Sequence, residues 1–320
     1  MNTPEGNAWR ILAGIKGVGP KALWLIFDRL AALGKTASWL IENPGKIKDI
    51  LPAIQADSFE PGFSDRKDKA GVRPANSRVT VLHPLHPYFP RQIRNLKNTL
   101  SLPALLYADG NVAILNRPAV AIIGKRNASA QAKTMTASLA SELAGLGVNV
   151  ISGYAAGIDS AAHLAALRAG GTTSIILAEG IEHFQVKAEM NQILTRENTL
   201  VISQFEPGAK WAAYMAMTRN KLVAALSKAV VVIVSGPERD AGGKNSGTFA
   251  AARGAMKMGI PVFVTAPGSF AEPQPGNLEL IKKGCLEWDA AAGAAPILAA
   301  LLTRANPTSP PGQLSLFEIK

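Results

Sequence analysis

Glycine, cations and small polar residues occur together in AVAIIGKRNASAQ (119–131), directly after an apolar run. Gly124 permits a sharp turn, and Ser129 is placed to cap a following helix, so that free backbone N–H groups face outward at a positive helix end. Lys125 and Arg126 add charge, and arginine offers phosphate a two-donor fork. These features indicate an anion-binding loop. The alternative is a surface loop whose glycine and serine serve only as turn and cap, and this stretch alone favours neither.

The loop ISGYAAGIDSAAH repeats the arrangement. Ser152 and Gly153 end a second apolar run, and Gly157 opens the backbone before an alanine-rich helix. Asp159 is placed to cap or to accept a hydrogen bond near the helix start, and His163 follows four residues later. An Asp–His pair can perform acid–base chemistry, but such pairs are more often packed and internally satisfied. We interpret this pair as structural.

Two later segments add further cations and hydroxyl groups. In MTRNKLVAAL, Arg219, Asn220 and Lys221 cluster at the start of an apolar helix, and their coincidence with the earlier loops favours binding over solvated helix charges. In KNSGTFAAA, small polar residues again open a helix, where they either hold a phosphate or only cap it. These residues are Ser246, Gly247 and Thr248.

Short apolar runs must position these loops: AVAIIG, VNVIS, TSIILA, TLVIS, AVVVIV and PVFVT. Strands without polar alternation are buried on both faces, and their separation by helical patterns predicts an α/β fold with an extended, Rossmann-like, doubly wound parallel sheet. Ligands of such sheets bind beyond the carboxyl ends of the strands, where all four loops fall. Neither GxGxxG nor a P-loop is present, which argues against a dinucleotide or a nucleoside triphosphate.

Composition narrows the class of protein. The 320 residues are 48% hydrophobic, which suits a globular core, and they lack a membrane-length apolar run or a signal-peptide pattern. We therefore expect a cytoplasmic protein without membrane association. One cysteine and four scattered histidines predict no disulfide and no metal site, and no cofactor is expected. A net charge of +11 favours polyanionic partners such as nucleic acid.

Changes in composition divide the chain into four parts. Helical periodicity predicts a small helix-hairpin-helix-like domain over 1–54, and a charged segment rich in Pro, Gly and Ser predicts a linker over 55–78. The Rossmann-like domain is expected over 79–290. Residues 291–320 are expected to form a flexible C-terminal tail.

The order AVAIIGKRNAS, VISGYAAGIDSAAHLAALRAGG, SQFEPG, TRNKLVAALSKAVVVIV and SGTFAAARGAMKMGIPVFVTAPGS resembles the DprA (Smf) family of DNA-processing proteins. The likeness extends from about residue 83 to residue 270 and includes LYADGN in the lead-in. It implies an extended Rossmann-like domain that binds single-stranded DNA without catalysis, usually as a homodimer. The resemblance also implies loading of the RecA recombinase during natural transformation.

By position, Arg126 matches the arginine of the family's GSR loop, with Lys125 in place of serine. Arg219 and Asn220 match its RNR segment, with Lys221 as the last residue. The resemblance also puts Lys187 near the basic position of a YPxxN element, although HFQVKAEMN lacks Tyr-Pro and is two residues longer. Gln204 replaces a frequent glutamate, and residues 237–245 form an insertion, so the chain represents a divergent branch.

Two appendages bear on the same interpretation. IKGVGPKALWLI resembles a helix-hairpin-helix, in which Gly17 and Gly19 expose amides to a phosphate and Lys21 adds charge, or which serves only packing. QLSLF near the C-terminus resembles the peptide that docks bacterial proteins on the replicative sliding clamp; the alternative is a segment that folds back on its own domain. The residues of that peptide are Gln313, Leu314, Leu316 and Phe317.

Two other function classes remain open. A LOG-type nucleotide phosphoribohydrolase shares the superfamily, but GGKNSGTFAAA places Ala251 where its catalytic glutamate belongs, so we expect no enzyme. A nucleotide-sensing module of the phage-defence type would bind a small phosphorylated signal in the same loops, and the insertion at 237–245 suits it.

Overall fold

The computed structural model describes residues 3–15, 17–50, 78–97, 101–243 and 245–305. Within these ranges the strands form one nine-stranded sheet. They are β1 (Thr80–Leu82), β2 (Leu106–Gly110), β3 (Ala119–Ile123), β4 (Asn149–Ser152), β5 (Thr173–Ile176), β6 (Thr199–Ser203), β7 (Ala229–Val232), β8 (Val262–Thr265) and β9 (Leu286–Trp288).

Helices surround this sheet. The N-terminal helices are α1 (Pro4–Ala13), α2 (Pro20–Ala32), α3 (Ala37–Glu42) and α4 (Ile47–Ile50). The later helices are α5 (Arg91–Leu96), α6 (Ala130–Gly145), α7 (Ile158–Arg168), α8 (Ala213–Ala225), α9 (Gly247–Lys257), α10 (Pro275–Lys282) and α11 (Ala295–Ala305).

The strands lie in the order β1-β2-β6-β5-β4-β3-β7-β8-β9. From β6 to β9 all neighbours are parallel, which confirms the predicted Rossmann-like α/β fold and each of the apolar runs proposed as strands. The structure adds an antiparallel edge that the sequence analysis did not predict, where β1 pairs antiparallel with β2 and β2 antiparallel with β6. A strand of three residues such as β1 is too short for its periodicity to stand out.

Strand β3 shows why these runs lack polar residues. Val120 and Ile122 pack into the core on one face of the sheet, together with Leu139 of α6. Ala121 and Ile123 pack into the core on the opposite face, together with Leu222 of α8. Because both faces are covered by helices, every side chain of the strand is buried.

The N-terminal helices pack against the antiparallel edge of the sheet. The Trp24 indole Nε1–H donates a hydrogen bond to the carbonyl oxygen of Leu102 (2.9 Å), and the Trp9 ring stacks on His83 with 6.3 Å between centroids. In the turn before α2, Gly17 has a φ of +89°, a conformation that favours glycine. DNA contact by this turn stays a prediction.

The C-terminal part of the fold differs from the expected tail. Helix α11 packs on the sheet, with Ile297 fully buried beside α6, so a flexible tail beginning at residue 291 is wrong. The apolar positions of PILAALL supply a helical face that the prolines following it obscured. The QLSLF peptide and residues 55–77 of the predicted linker lie outside the described residues. Among the described helices, none has the length and apolar character needed to cross a membrane.

Candidate nucleic-acid interface

Strands β3 and β7 lie side by side, and the loops that follow them meet at the carboxyl edge of the sheet. The chain leaves β3 toward β4 on one side and leaves β7 toward β8 on the other, so this is the topological switch point where α/β sheets bind ligands. The Lys125 N–H donates a hydrogen bond to the Val234 carbonyl oxygen (3.0 Å) and ties the two loops together.

Two helices begin at this point. The Ser129 hydroxyl accepts a hydrogen bond from the Ala132 N–H at the start of α6, and the Ser246 hydroxyl accepts one from the Phe249 N–H at the start of α9, both at 3.2 Å. Both serines are therefore caps, which the sequence indicated for Ser129 and left open for Ser246. The two positive helix ends face the same edge of the sheet as Arg126, which is exposed.

Helix α8 reaches the same edge. The Asn220 amide donates to the Gly247 carbonyl oxygen (3.2 Å), which fixes the beginning of α9 beside α8. Lys221 is exposed, whereas Gly247 and Thr248 are partly buried. The exposed or partly buried residues of this edge are named here the rim: Gly124, Lys125, Arg126, Ser129, Asn220, Lys221, Ser246, Gly247 and Thr248.

Gly157 allows the loop that follows β4 (the β4 loop) to touch the loop that follows β3 (the β3 loop). Its φ is +82°, and a Cβ atom there would lie 2.2 Å from the carbonyl oxygen of Arg126 and 2.5 Å from that of Lys125. The next residue, Ile158, donates its N–H to the Lys125 carbonyl oxygen (3.4 Å) and fills the space where a side chain at position 124 would be. The conformation of the β3 loop, which carries Lys125 and Arg126, therefore depends on glycine at position 157.

Ser152, Gly153 and Asp159 lie beneath the rim. The Ser152 hydroxyl is buried and donates to the Ile122 carbonyl oxygen (2.6 Å). The Asp159 carboxylate accepts hydrogen bonds from the N–H groups of Gly153 (3.2 Å) and Ala155 (3.3 Å). Burial raises the pKa of Asp159, and the nearby Arg219 charge opposes that rise. These partners agree with a structural role for Asp159.

Arg219 lies under the β4 loop and not on the exposed edge expected from the sequence. It is only 6% exposed, and its guanidinium donates to the Ile176 carbonyl oxygen (3.2 Å). A Cβ atom at Gly153 would lie 1.2 Å from Arg219 Nη1, so the glycine makes room for the guanidinium. Burial lowers the pKa of Arg219 while the Asp159 charge raises it, and arginine remains protonated. Arg219 therefore supports the loops from below.

Lys187, which the resemblance put among the DNA-binding residues, makes internal contacts in the structure. Its ammonium group donates to the carbonyl oxygens of Tyr154 (2.9 Å) and Ala155 (3.4 Å) and to the Ser160 hydroxyl. The ammonium nitrogen also lies 4.3 Å from the centroid of the Tyr154 ring. Burial lowers the pKa of Lys187. An ammonium group has three N–H donors, and the three acceptors named above use all of them. Lys187 therefore anchors the β4 loop and has no donor left for a ligand.

Comparison with known proteins identifies the family. The sequence model of the family described as DNA recombination-mediator protein A matches residues 80–293. The chain belongs to this family. The match includes the whole rim, and the family's DNA-processing members are named DprA or Smf.

Individual DprA proteins give the extent of the similarity. The Bacillus subtilis DNA processing protein DprA is 31% identical over 193 residues, which cover 59% of this chain and 62% of that protein. A crystal structure of Streptococcus pneumoniae DprA shares the fold, with a TM-score of 0.73, 22% identity, and coverage of 93% of this chain and 98% of that one. A Helicobacter pylori DprA structure, described for its unique single-stranded DNA binding mode, has a TM-score of 0.55 at 27% identity, with 69% and 96% coverage.

The family resemblance did not single out two features next to the rim. Asn277 accepts from the Ser235 N–H (2.8 Å) and donates to the carbonyl oxygens of Ile233 and Thr265, so this buried amide holds the ends of β7 and β8. Arg253 and Lys257 lie one turn apart on α9, in a cleft between α8 and α9. The i, i+4 spacing of these two cations in ARGAMK could have indicated from the sequence that they share one face of a helix.

Among the described residues, no group of three or more His, Cys, Asp or Glu side chains is arranged to hold a metal ion.

His163 couples the stability of this DprA-family domain to pH. The imidazole is fully buried, its Nδ1 lies 2.6 Å from the Thr173 hydroxyl oxygen, and burial together with the charges of Lys187 and Arg219 lowers its pKa from 6.5 to about 3. The unfolded chain therefore binds a proton before the folded chain does as pH falls below about 6.5. We expect His163 to remove about 2 kcal/mol of unfolding free energy between pH 7 and pH 5.

Urea unfolding of the wild type and of His163→Gln at several pH values measures this effect. The glutamine variant is less stable at pH 7, but the difference between the two proteins should narrow as pH falls toward 5. A difference that is constant with pH would contradict the expected protonation of the unfolded state.

Proposed function

We propose that this protein binds single-stranded DNA along the rim and acts there without catalysis. The observation that carries the proposal is the convergence of two capped helix N-termini with Lys125, Arg126 and Lys221 at the switch point of the sheet. Backbone N–H groups and cations together suit phosphodiester groups. The net charge of +11 and the single-stranded DNA binding named for the Helicobacter pylori relative support the same ligand.

In this proposal the site residues take two roles. Phosphates contact the rim directly, at Gly124, Lys125, Arg126, Ser129, Asn220, Lys221, Ser246, Gly247 and Thr248. Ser152, Gly153, Gly157, Lys187 and Arg219 hold the loops that form it. The side chains of Ser152, Lys187 and Arg219 donate hydrogen bonds to backbone carbonyl oxygens, and neighbouring atoms fill the space beside the two glycines. The absence of a side-chain carboxylate at Ala251, which is buried in α9, argues against phosphoribohydrolase chemistry.

Membership of the family supports a wider cellular role. We propose that the protein is cytoplasmic, protects single-stranded DNA and helps to load the RecA recombinase in recombination or natural transformation. We also propose that the QLSLF peptide docks on the replicative sliding clamp. A homodimer is proposed through the outer edge of β9, which no other described strand pairs with and where Leu286 is 49% exposed. At the opposite edge of the sheet, the described part of β1 packs against α1.

Fluorescence anisotropy of a labelled poly-dT oligonucleotide tests DNA binding at two salt concentrations. We expect tight binding at low salt, and each phosphate contact should contribute about 0.7 to the slope of log K against log salt. No binding at low salt would overturn the proposal. If a mononucleotide then bound in the same loops, the nucleotide-sensing alternative would take its place.

A further inference from the structure

A cleft of about 690 Å³ lies between α8 and α9 and is continuous with the rim. Both helices begin at the carboxyl edge of the sheet and run toward its other edge, since each follows one parallel strand and precedes the next. Asn220, Lys221 and Ser246 belong to both the rim and the lining of the cleft. A linear ligand that leaves the rim between these helices therefore enters the cleft.

The lining of this cleft is cationic. Arg239, Arg253 and Lys257 contribute three positive charges in addition to Lys221. The carboxylate in the lining is Glu238, which already pairs with Lys283 at 3.1 Å. Within the described part of the chain, no carboxylate lies within 4.0 Å of the Lys221, Arg253 or Lys257 charges. The charge therefore suits an anionic ligand.

Large exposed side chains lie at the N-terminal end of α8. Trp211 is 53% exposed, Tyr214 is 65% exposed and Met217 is 43% exposed, whereas Trp9, Trp24 and Trp288 are buried. Tyr214, Met217 and Lys221 follow helical spacing, so they share one face of α8, and Met217 lines the cleft itself. Exposed aromatic rings on the same helix as Lys221 match the two parts of a nucleotide, since rings stack on its base and cations bind its phosphate.

We propose that the cleft carries single-stranded DNA onward from the rim, with bases stacked on Trp211 and Tyr214 and phosphates along Lys221, Arg253 and Lys257. This inference rests on the proposed function and assigns a second segment to the same path. A folded acidic partner is the competing occupant. The exposed aromatic rings at the N-terminal end of α8, together with a cationic cleft that is continuous with the rim, favour the nucleic acid.

Oligonucleotide length separates the two segments. A poly-dT of about 6 nucleotides is short enough to occupy the rim alone, whereas one of about 20 also reaches the cleft. In Arg253→Ala/Lys257→Ala we expect about tenfold weaker binding of the long oligonucleotide, with a salt slope smaller by about 1.4, and unchanged binding of the short one. The control Arg117→Ala/Lys228→Ala removes two exposed cations at the amino edge of the sheet and should bind both lengths normally.

The results distinguish this inference from the proposed function. If the wild type binds neither length, DNA binding itself fails. If the wild type binds both lengths and the Arg253→Ala/Lys257→Ala variant loses affinity for neither, or for both equally, the rim remains the DNA site and the path through the cleft is overturned.

Tryptophan fluorescence supplies a second, local measurement. Since Trp211 is exposed just before α8, the long oligonucleotide should quench tryptophan emission in the wild type. Trp211→Phe should lose this quenching while it keeps most of the affinity. Tyr214→Ala should weaken binding of the long oligonucleotide about tenfold. Undiminished quenching in Trp211→Phe would overturn the assignment. Quenching by polyglutamate but not by DNA would also overturn it and would indicate an acidic protein partner.

Discussion

The double charge reversal Lys125→Glu/Arg126→Glu is expected to weaken binding of single-stranded DNA by at least about 100-fold at moderate salt. Arg126 is exposed and Lys125 half-buried at the point where two helix N-termini converge, so both reversals place carboxylates where the proposal puts phosphates. Charge-assisted hydrogen bonds contribute about 1.5–3 kcal/mol each, and repulsion adds to their loss. Anisotropy titration of labelled poly-dT measures the change.

A variant with the same change in net charge provides the control. Arg117 and Lys228 are exposed next to the amino ends of β3 and β7, on the opposite edge of the sheet from the rim. Arg117→Glu/Lys228→Glu should lose only the small part of the affinity that depends on the overall charge. Equal weakening in the two double variants would show that DNA responds to net charge and not to the rim, and the proposed site would then be rejected.

Gly157→Ala is expected to destabilise the protein by about 3 kcal/mol and to impair DNA binding as well. Its φ of +82° disfavours any side chain, and a Cβ atom 2.2 Å from the Arg126 carbonyl oxygen would force the backbone of the β3 loop to move. Urea denaturation measures the loss of stability, and anisotropy at a temperature where the variant is folded measures the loss of affinity.

Gly147→Ala separates the two costs at Gly157. Gly147 has a φ of +74°, but no atom lies within 4 Å of a Cβ atom placed there. This control should cost about 1 kcal/mol through backbone strain alone and should leave DNA binding unchanged. If Gly157→Ala behaved like Gly147→Ala in both measurements, the contact between the β3 and β4 loops would have no role in shaping the rim.

The contrast between Ser129 and Lys187 shows how far sequence reasoning reached into the site. A serine at the start of a helix caps an N–H three residues later, so its role depends on a few consecutive residues, and the structure has that bond at 3.2 Å. Lys187 is 33 residues from Tyr154, whose carbonyl oxygen it binds. The direction of a long, flexible side chain follows from what the rest of the fold places within its reach, which a linear pattern does not contain.

Arg219 and the cleft illustrate the same limit on a larger scale. The sequence placed Arg219 at the start of a helix and facing solvent, but α8 begins at Ala213, so Arg219 lies in its middle. The missing side chain of Gly153 and the carbonyl oxygen of Ile176 accommodate its guanidinium under a loop. The cleft exists because α8 and α9 lie side by side. Neither helix alone contains the signal, since each contributes only part of the cations.

The sequence by itself determined the parallel strands, the loops at their carboxyl ends and the family. Strands buried on both faces require continuous apolar runs, and the turns and helix caps of the loops require glycine and serine at particular positions. The order of these motifs along the chain identified the family. Tertiary structure decided the antiparallel edge, the packing of α11, and the division of the predicted site residues between an exposed rim and a buried support. That division is energetic: a polar group remains buried only where distant parts of the chain supply its hydrogen-bond partners.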